Sequence, residues 1–134
     1  MTIRAVADTH AILWYLYNDS RLSITAGSFI DAAVSGGDQI AISSITLAEM
    51  VYLTERNRID PAAVARVLEV LDRSSSTLVE IPLDRGIVRS MRQIDRASIP
   101  ELPDRIVAAT ALHLGVPIIS RDREIRASRV PSIW

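Results

Sequence analysis

Cysteine and lysine are both missing from this chain of 134 residues. The lack of cysteine removes disulfides, thiolate metal sites and thiol nucleophiles together, and it permits a reducing compartment. The lack of lysine makes all 15 basic residues arginine. Arginine forks suit phosphate oxygens better than ammonium groups do, although biased codon usage gives the same count. Aromatic residues are sparse at 4%, so aliphatic side chains must fill most of a core. The five glycines are scattered apart from Gly36-Gly37, which leaves no glycine-rich phosphate loop. The two histidines, His10 and His113, do not have zinc-ligand spacing and read as packing or surface residues. No serine–histidine–acid order is present. The longest apolar run near the start, Ala11–Tyr17, is seven residues, far below the ~20 that cross a bilayer. It also lacks a basic leader and a small-residue cleavage site, so the expectation is a cytoplasmic protein with no membrane partner.

What remains is 49% apolar and 23% charged, with a formal net charge of −1. That balance and length suit one domain over residues 1–134. A protein so nearly neutral would have to meet nucleic acid through local patches. Short β-like runs alternate with longer helical ones. Strands are expected at Ile3–Ala7, Gln39–Ile42, Thr77–Ile81, Val116–Ser120 and Val130–Trp134. Helices are expected at Thr9–Tyr17, Thr25–Ser35, Ile45–Arg56, from Asp60-Pro61 to about Arg73, at Leu83–Arg96 and at Asp104–Gly115. Strands separated by helices imply an α/β fold, with parallel pairing and helices on both faces. In such sheets ligands bind at the carboxyl ends of strands, near a switch in strand order.

Four acids stand at punctuation points of this pattern. Asp8 and Asp122 follow expected strands, while Glu49 and Asp104 lie early in expected helices. All four can therefore reach one edge of one sheet. Each also has an ordinary structural explanation. Asp8 could cap the helix at Thr9, and Asp104 the helix from Arg105. Glu49 could close a capping box with Thr46, although Ser43 and Ser44 are better placed to cap. Asp122 could belong to a polar turn. Acids isolated among apolar neighbours are costly to bury unless a cation joins them, and no lysine exists to do so. A divalent metal ion is the natural candidate. Mg2+ and Mn2+ prefer oxygen ligands, and a metal held by carboxylates can activate water against a phosphodiester.

Four segments then carry a resemblance: Asp8-Thr9-His10-Ala11-Ile12-Leu13-Trp14, Ser43–Glu49, Pro103-Asp104-Arg105-Ile106-Val107-Ala108-Ala109-Thr110-Ala111, and Ile118-Ile119-Ser120-Arg121-Asp122. Together they resemble the PIN-domain family, above all the VapC-type toxins of bacterial toxin–antitoxin pairs, and the likeness runs through to Val130–Trp134. The resemblance implies a three-layer αβα sandwich around a parallel sheet of about five strands. It implies a Mg2+- or Mn2+-dependent endoribonuclease with Asp8, Glu49, Asp104 and Asp122 as catalytic acids. Asp8 and Asp104 would be the most direct metal ligands, with the Thr9 hydroxyl beside them. Many relatives carry Asp where Glu101 stands here, and the longer arm of Glu101 puts its supporting role in question. The family also implies a VapB-type antitoxin partner, a homodimer, and RNA substrates such as transfer or ribosomal RNA.

Two arginine groups could hold RNA. Arg85, Arg89, Arg92 and Arg96 recur at helical spacing, where a solvated helix face is the competing explanation. Arg121, Arg123, Arg126 and Arg129 surround Asp122. Other functions fit less well. A signalling receiver also places acids at strand ends but needs a lysine opposite them. A non-catalytic PIN-fold interaction module would be expected to have lost one or more of the four acids.

Overall fold

The structure, a computed structural model, describes residues 2–134. Five short strands are β1 (Ile3–Ala7), β2 (Gln39–Ser43), β3 (Leu78–Ile81), β4 (Ile118–Ile119) and β5 (Ser132–Ile133). The helices are α1 (Thr9–Leu16), α2 (Ile24–Ser35), α3 (Ser44–Glu55), α4 (Ala62–Asp72), α5 (Arg85–Met91), α6 (Leu102–Leu114) and α7 (Arg123–Ala127). The strands form one sheet in the order β3-β2-β1-β4-β5, and every pairing is parallel. Parallel neighbours need crossover connections, which the helices supply.

The sheet is buried on both faces, as a parallel sheet with helical crossovers must be. One apolar cluster joins Ala5, Ala7, Ile40 and Ile42 of the sheet to Ile12 of α1, Ile30 of α2, Met50 of α3 and Val67 of α4. The other joins Val6, Ala41 and Ile118 to Ile87 of α5, Val107 and Ala111 of α6, and Ile125 of α7. The result is the expected αβα sandwich. A bulge near the start of β1 adjusts the alternation, because Ile3 pairs with Gln39 and Ala5 with the very next residue, Ile40. Ile3 consequently packs with the second cluster although Ala5 and Ala7 belong to the first.

Several boundaries differ from the sequence reading. The helix expected over Leu83–Arg96 is only Arg85–Met91, started by Asp84, whose Oδ1 accepts from Gly86 and Ile87 N–H. Beyond it the chain tightens into three-residue turns, Gln93 N–H to Ser90 O and Ile94 N–H to Met91 O. The Asp95 carboxylate takes the Ala97 N–H at 3.0 Å, competing with helical bonding. Ile94 and Ile99 stay buried, so the apolar spacing is real although the helix ends early. Helix α6 begins at Leu102 rather than Asp104, with Glu101 at its N-cap position and proline in its first turn. It ends at Gly115, whose φ of 69° is the left-handed conformation that glycine adopts without penalty. Helix α7 has no counterpart among the expected elements.

The order β3-β2-β1-β4-β5 places a topological switch beside β1. Moving from β1 to β2 the chain goes one way across the sheet, and β4 and β5 lie on the other side. The carboxyl ends of β1 and β4 therefore open a crevice between diverging connections, where ligands of open α/β sheets bind.

Candidate metal centre

Asp8 follows β1 directly and is the N-cap of α1, its Oδ1 accepting the Ala11 N–H at 2.9 Å. Asp122 follows β4 by three residues and caps α7 in the same way, taking the Ile125 N–H at 3.0 Å. The cap expected of Asp8 is present, and Asp122, expected only in a polar turn, also caps a helix, yet capping uses one carboxylate oxygen of each. Capping and ligation are compatible.

Glu49 and Asp104 have other surroundings. Ser43 caps α3 through the Ile45 N–H, which leaves Glu49 in the second turn and rules out a capping box. The Glu49 carboxylate instead accepts the Thr9 hydroxyl at 2.6 Å, joining α3 to α1. Thr9 is itself buried. Asp104 is not an N-cap, since Glu101 holds that position, and its side chain makes no hydrogen bond within the described residues. Pro103 sits in the first turn, where its missing N–H costs nothing. Three of the acids are tied down, and the fourth is available.

All four sequence-identified acids line one cavity of about 290 Å³, with Thr9, His10, Trp14, Val107 and Arg121. Burial, with repulsion from neighbouring carboxylates, raises the proton affinity of two of them, Asp104 and Asp8. Burial pushes the Asp104 carboxyl up to about 7, and the charges of Asp122, Glu49, Asp8 and Glu101 push in the same direction. Asp8 is raised mainly by burial, against the lowering effects of the Ser120 hydroxyl, the Ala11 N–H and His10. Glu101 is exposed and does not line the cavity, so it reaches Asp104 through its charge alone.

Among the described residues, no three His, Asp or Glu side chains stand close enough to hold one ion directly. The carboxylates line the cavity rather than converge at a point. An all-oxygen donor set of this kind suits a hard divalent cation that keeps part of its hydration shell, as Mg2+ does when one or two carboxylates hold it. The raised proton affinity of Asp104 points the same way, because a bound cation would bring that carboxyl back to its ionised form.

Sequence reasoning misses the aromatic wall of the cavity. Trp14 reads as a core residue in its apolar stretch, and it is buried at 5% exposure. It nevertheless borders the acids, with the His10 ring 5.5 Å away and Trp134 at 6.0 Å. The only signal in the sequence is the four-residue spacing of His10 and Trp14, one helical turn apart on the helix that Asp8 caps. Of the eight arginines in the two groups, Arg121 alone lines the cavity. No helix among the described residues is long and apolar enough to cross a membrane.

Comparison with known proteins agrees with this fold. The chain is 25% identical to Ribonuclease VapC22 of Mycobacterium tuberculosis over 130 residues, 95% of either chain. Its fold matches that of a toxin–antitoxin complex from Klebsiella pneumoniae at a TM-score of 0.61 and 25% identity, covering 92% of this chain and 91% of the other. It also matches VapBC2 from Rickettsia felis, solved with a DNA fragment from their promoter, at a TM-score of 0.70 and 14% identity over 97% of either chain. Nucleases of the VapC kind are generally dependent on a divalent metal. The PIN-domain profile itself matches residues 5–130, from the first strand through the last buried residue before β5. With its acids gathered at the β1–β4 crevice and that match spanning nearly its whole length, the chain belongs to the PIN-domain family.

Proposed function

We propose that this protein is a Mg2+- or Mn2+-dependent endoribonuclease, and that it acts as the toxin of a toxin–antitoxin pair. The observation that carries the reading is the convergence of Asp8, Glu49, Asp104 and Asp122 on one cavity, with Asp104 unpartnered among the described residues and its carboxyl pushed up to about 7. Asp8 and Asp104 are assigned as the residues that would hold the ion, and Glu49 and Asp122 as acids that would orient the attacking water. When bound, the ion supplies Lewis acidity and lowers the proton affinity of water. The chain's own groups do the rest. The Thr9 hydroxyl fixes the Glu49 carboxylate at 2.6 Å. The N-cap bonds of Asp8 and Asp122 fix those carboxylates against α1 and α7. A water oxygen bonds to phosphorus and gives up a proton, one bridging P–O bond breaks, and the departing oxygen takes up a proton, so that no net proton is consumed.

The relatives' names support the biological setting. One is a ribonuclease and two are toxin–antitoxin complexes. We assign this chain a VapB-type antitoxin as partner, transfer or ribosomal RNA as substrate, a homodimeric state and a cytoplasmic location. The competing reading, a non-catalytic interaction module of PIN fold, leaves the repelling acids without a purpose.

The test is expression with and without the adjacent open reading frame, followed by mapping of new RNA 5′ ends. Growth arrest relieved by the neighbour, with defined new ends that vanish in Asp8→Asn, is the expected result. Identical RNA ends with the wild type and with Asp8→Asn would overturn the assignment.

A further inference from the structure

Arg121 has an unusual electrostatic position. It lines the acidic cavity beside Asp8, Glu49, Asp104 and Asp122, yet pairs with none of them. The ion pairs among the described residues are Arg4–Asp38, Arg21–Asp19 and Arg73–Glu69, all elsewhere. The Arg121 guanidinium instead lies over the indole of Trp14, 4.6 Å from the ring centroid. A stacked guanidinium keeps the N–H groups of its edge available for a planar acceptor.

The ring beneath it is well fixed. Trp14 is 5% exposed and touches Trp134 and His10. Arg21 stands over the same indole at 5.2 Å, in the neighbouring cavity. Asp19 grips Arg21 at both ends of its fork, at 3.0 Å to Nε and 2.8 Å to Nη2. Arg121 therefore rests on a braced aromatic plate.

The charge balance of the site indicates what Arg121 does there. Four ionised carboxylates line the cavity, and one bound divalent ion would still leave them two negative charges in excess before Arg121 is counted. An RNA phosphate entering it is repelled unless another cation faces it. Among the described residues, no other arginine lines the cavity. We propose that Arg121 binds the scissile phosphate of the RNA, forking to its non-bridging oxygens, and that Trp14 is the positioning residue that aims it. Arg121 is thus a substrate-binding residue of the catalytic centre, distinct from the acids. The inference rests on the ribonuclease reading, and its test separates the two.

The experiment uses the purified chain with Mn2+ and subsaturating total cellular RNA. Initial cleavage rates are compared for the wild type, Asp8→Asn, Arg121→Ala, Arg121→Lys, Trp14→Phe and Arg56→Ala. Arg56 is the control, since it stacks on exposed Tyr52 at 4.6 Å and lines no described cavity. Arg121→Ala is expected to lose about 100-fold in kcat/KM, the scale seen when a charge-stabilising donor is removed. Arg121→Lys should recover about tenfold of this. Trp14→Phe should lose about tenfold, and the double variant should fall no lower than Arg121→Ala, because the two act as one unit. Arg56→Ala should cleave like the wild type, and the Mn2+-induced rise in Tm should be the same for Arg121→Ala as for the wild type. Activity of Arg121→Ala within about threefold of wild type overturns the inference, as does loss of its Mn2+ response together with its activity. Equal cleavage by Asp8→Asn overturns the nuclease reading instead. Binding to the same RNA in an Asp104→Asn background still decides Arg121 in that case. There Arg121→Ala should reduce the slope of log affinity against log salt by about 0.7, and an unchanged slope overturns the inference.

Discussion

Replacing Asp104 by asparagine should make the metal-free protein more stable while destroying its function. Asp104 makes no hydrogen bond that asparagine would lose, and its charge is opposed by burial and by Asp122, Glu49, Asp8 and Glu101. Its carboxyl rises from the ordinary 3.8 to about 7 in the folded chain. Between those values the folded state holds a proton that the unfolded state releases. The contribution of Asp104 to stability is therefore greatest below pH 4 and falls as pH rises towards 7. At full strength such a difference is about 4 kcal/mol. Asp104 is only half-buried, and solvent screening reduces the effect to about 1–2 kcal/mol. For a chain of this length each kcal/mol moves Tm by about 3–5 °C. Thermal melts in EDTA at pH 8 should place Asp104→Asn about 3–10 °C above the wild type, and the gap should close at pH 4. Saturating Mn2+ should reverse the order, since ligand at about 100 times its Kd adds about 2.7 kcal/mol to the wild type and little to a variant missing a ligand. RNA cleavage by the variant should be absent. A lower Tm for the variant in EDTA at pH 8, or an equal gain from Mn2+, would refute the account of Asp104 as a charge waiting for a cation.

Thr9→Val removes the hydroxyl that holds Glu49. RNA cleavage should fall about tenfold and Tm should drop by an amount corresponding to about 1–2 kcal/mol, whereas Thr9→Ser should keep most of both when rates and melts are measured side by side. Two glycines should respond oppositely in urea unfolding. Gly115→Ala should cost about 1–2 kcal/mol, because φ there is 69°. Gly27→Ala should stabilise α2 by up to about 1 kcal/mol, since the new methyl meets only Leu22 Cδ2 at an ordinary 3.5 Å.

The sequence carries the sheet and the acids well because both are local signals. Ile3–Ala7 is an apolar run cut off by an acid that caps the next helix, so strand end, helix start and candidate ligand are written in six adjacent residues. At β4 the run Ile118–Ile119 likewise leads to Asp122, three residues on, although the helix that Asp122 caps is not legible in the sequence. Parallel strands at the switch point then bring the two acids together without further instruction. The start of α6 misleads for a definite reason. Pro103 reads as a boundary, yet proline belongs inside a first helical turn as readily as outside it. The difference matters chemically. An N-cap Asp104 would have satisfied its charge on backbone N–H groups, whereas the same residue in the first turn has its carboxylate free for the cavity.

What the sequence does not disclose is contact between segments far apart along the chain. Trp14 and Arg121 are separated by more than a hundred residues, and each alone suggests something different: an aromatic in an apolar stretch and an arginine in a polar turn. Only the pairing of β1 with β4 places the start of α1 against the turn after β4, so that an indole and a guanidinium face the acids together. The same pairing sets Ser120 beside Asp8. Each acid is thus marked by punctuation within its own segment, whereas strand order both gathers the acids and sets the indole and the guanidinium beside them. A variant that disturbed the β1–β4 pairing should therefore separate Asp8 from Asp122 as well as Trp14 from Arg121. That is why the proposed grip on phosphate is best probed at Arg121 itself, an exposed residue outside the strands.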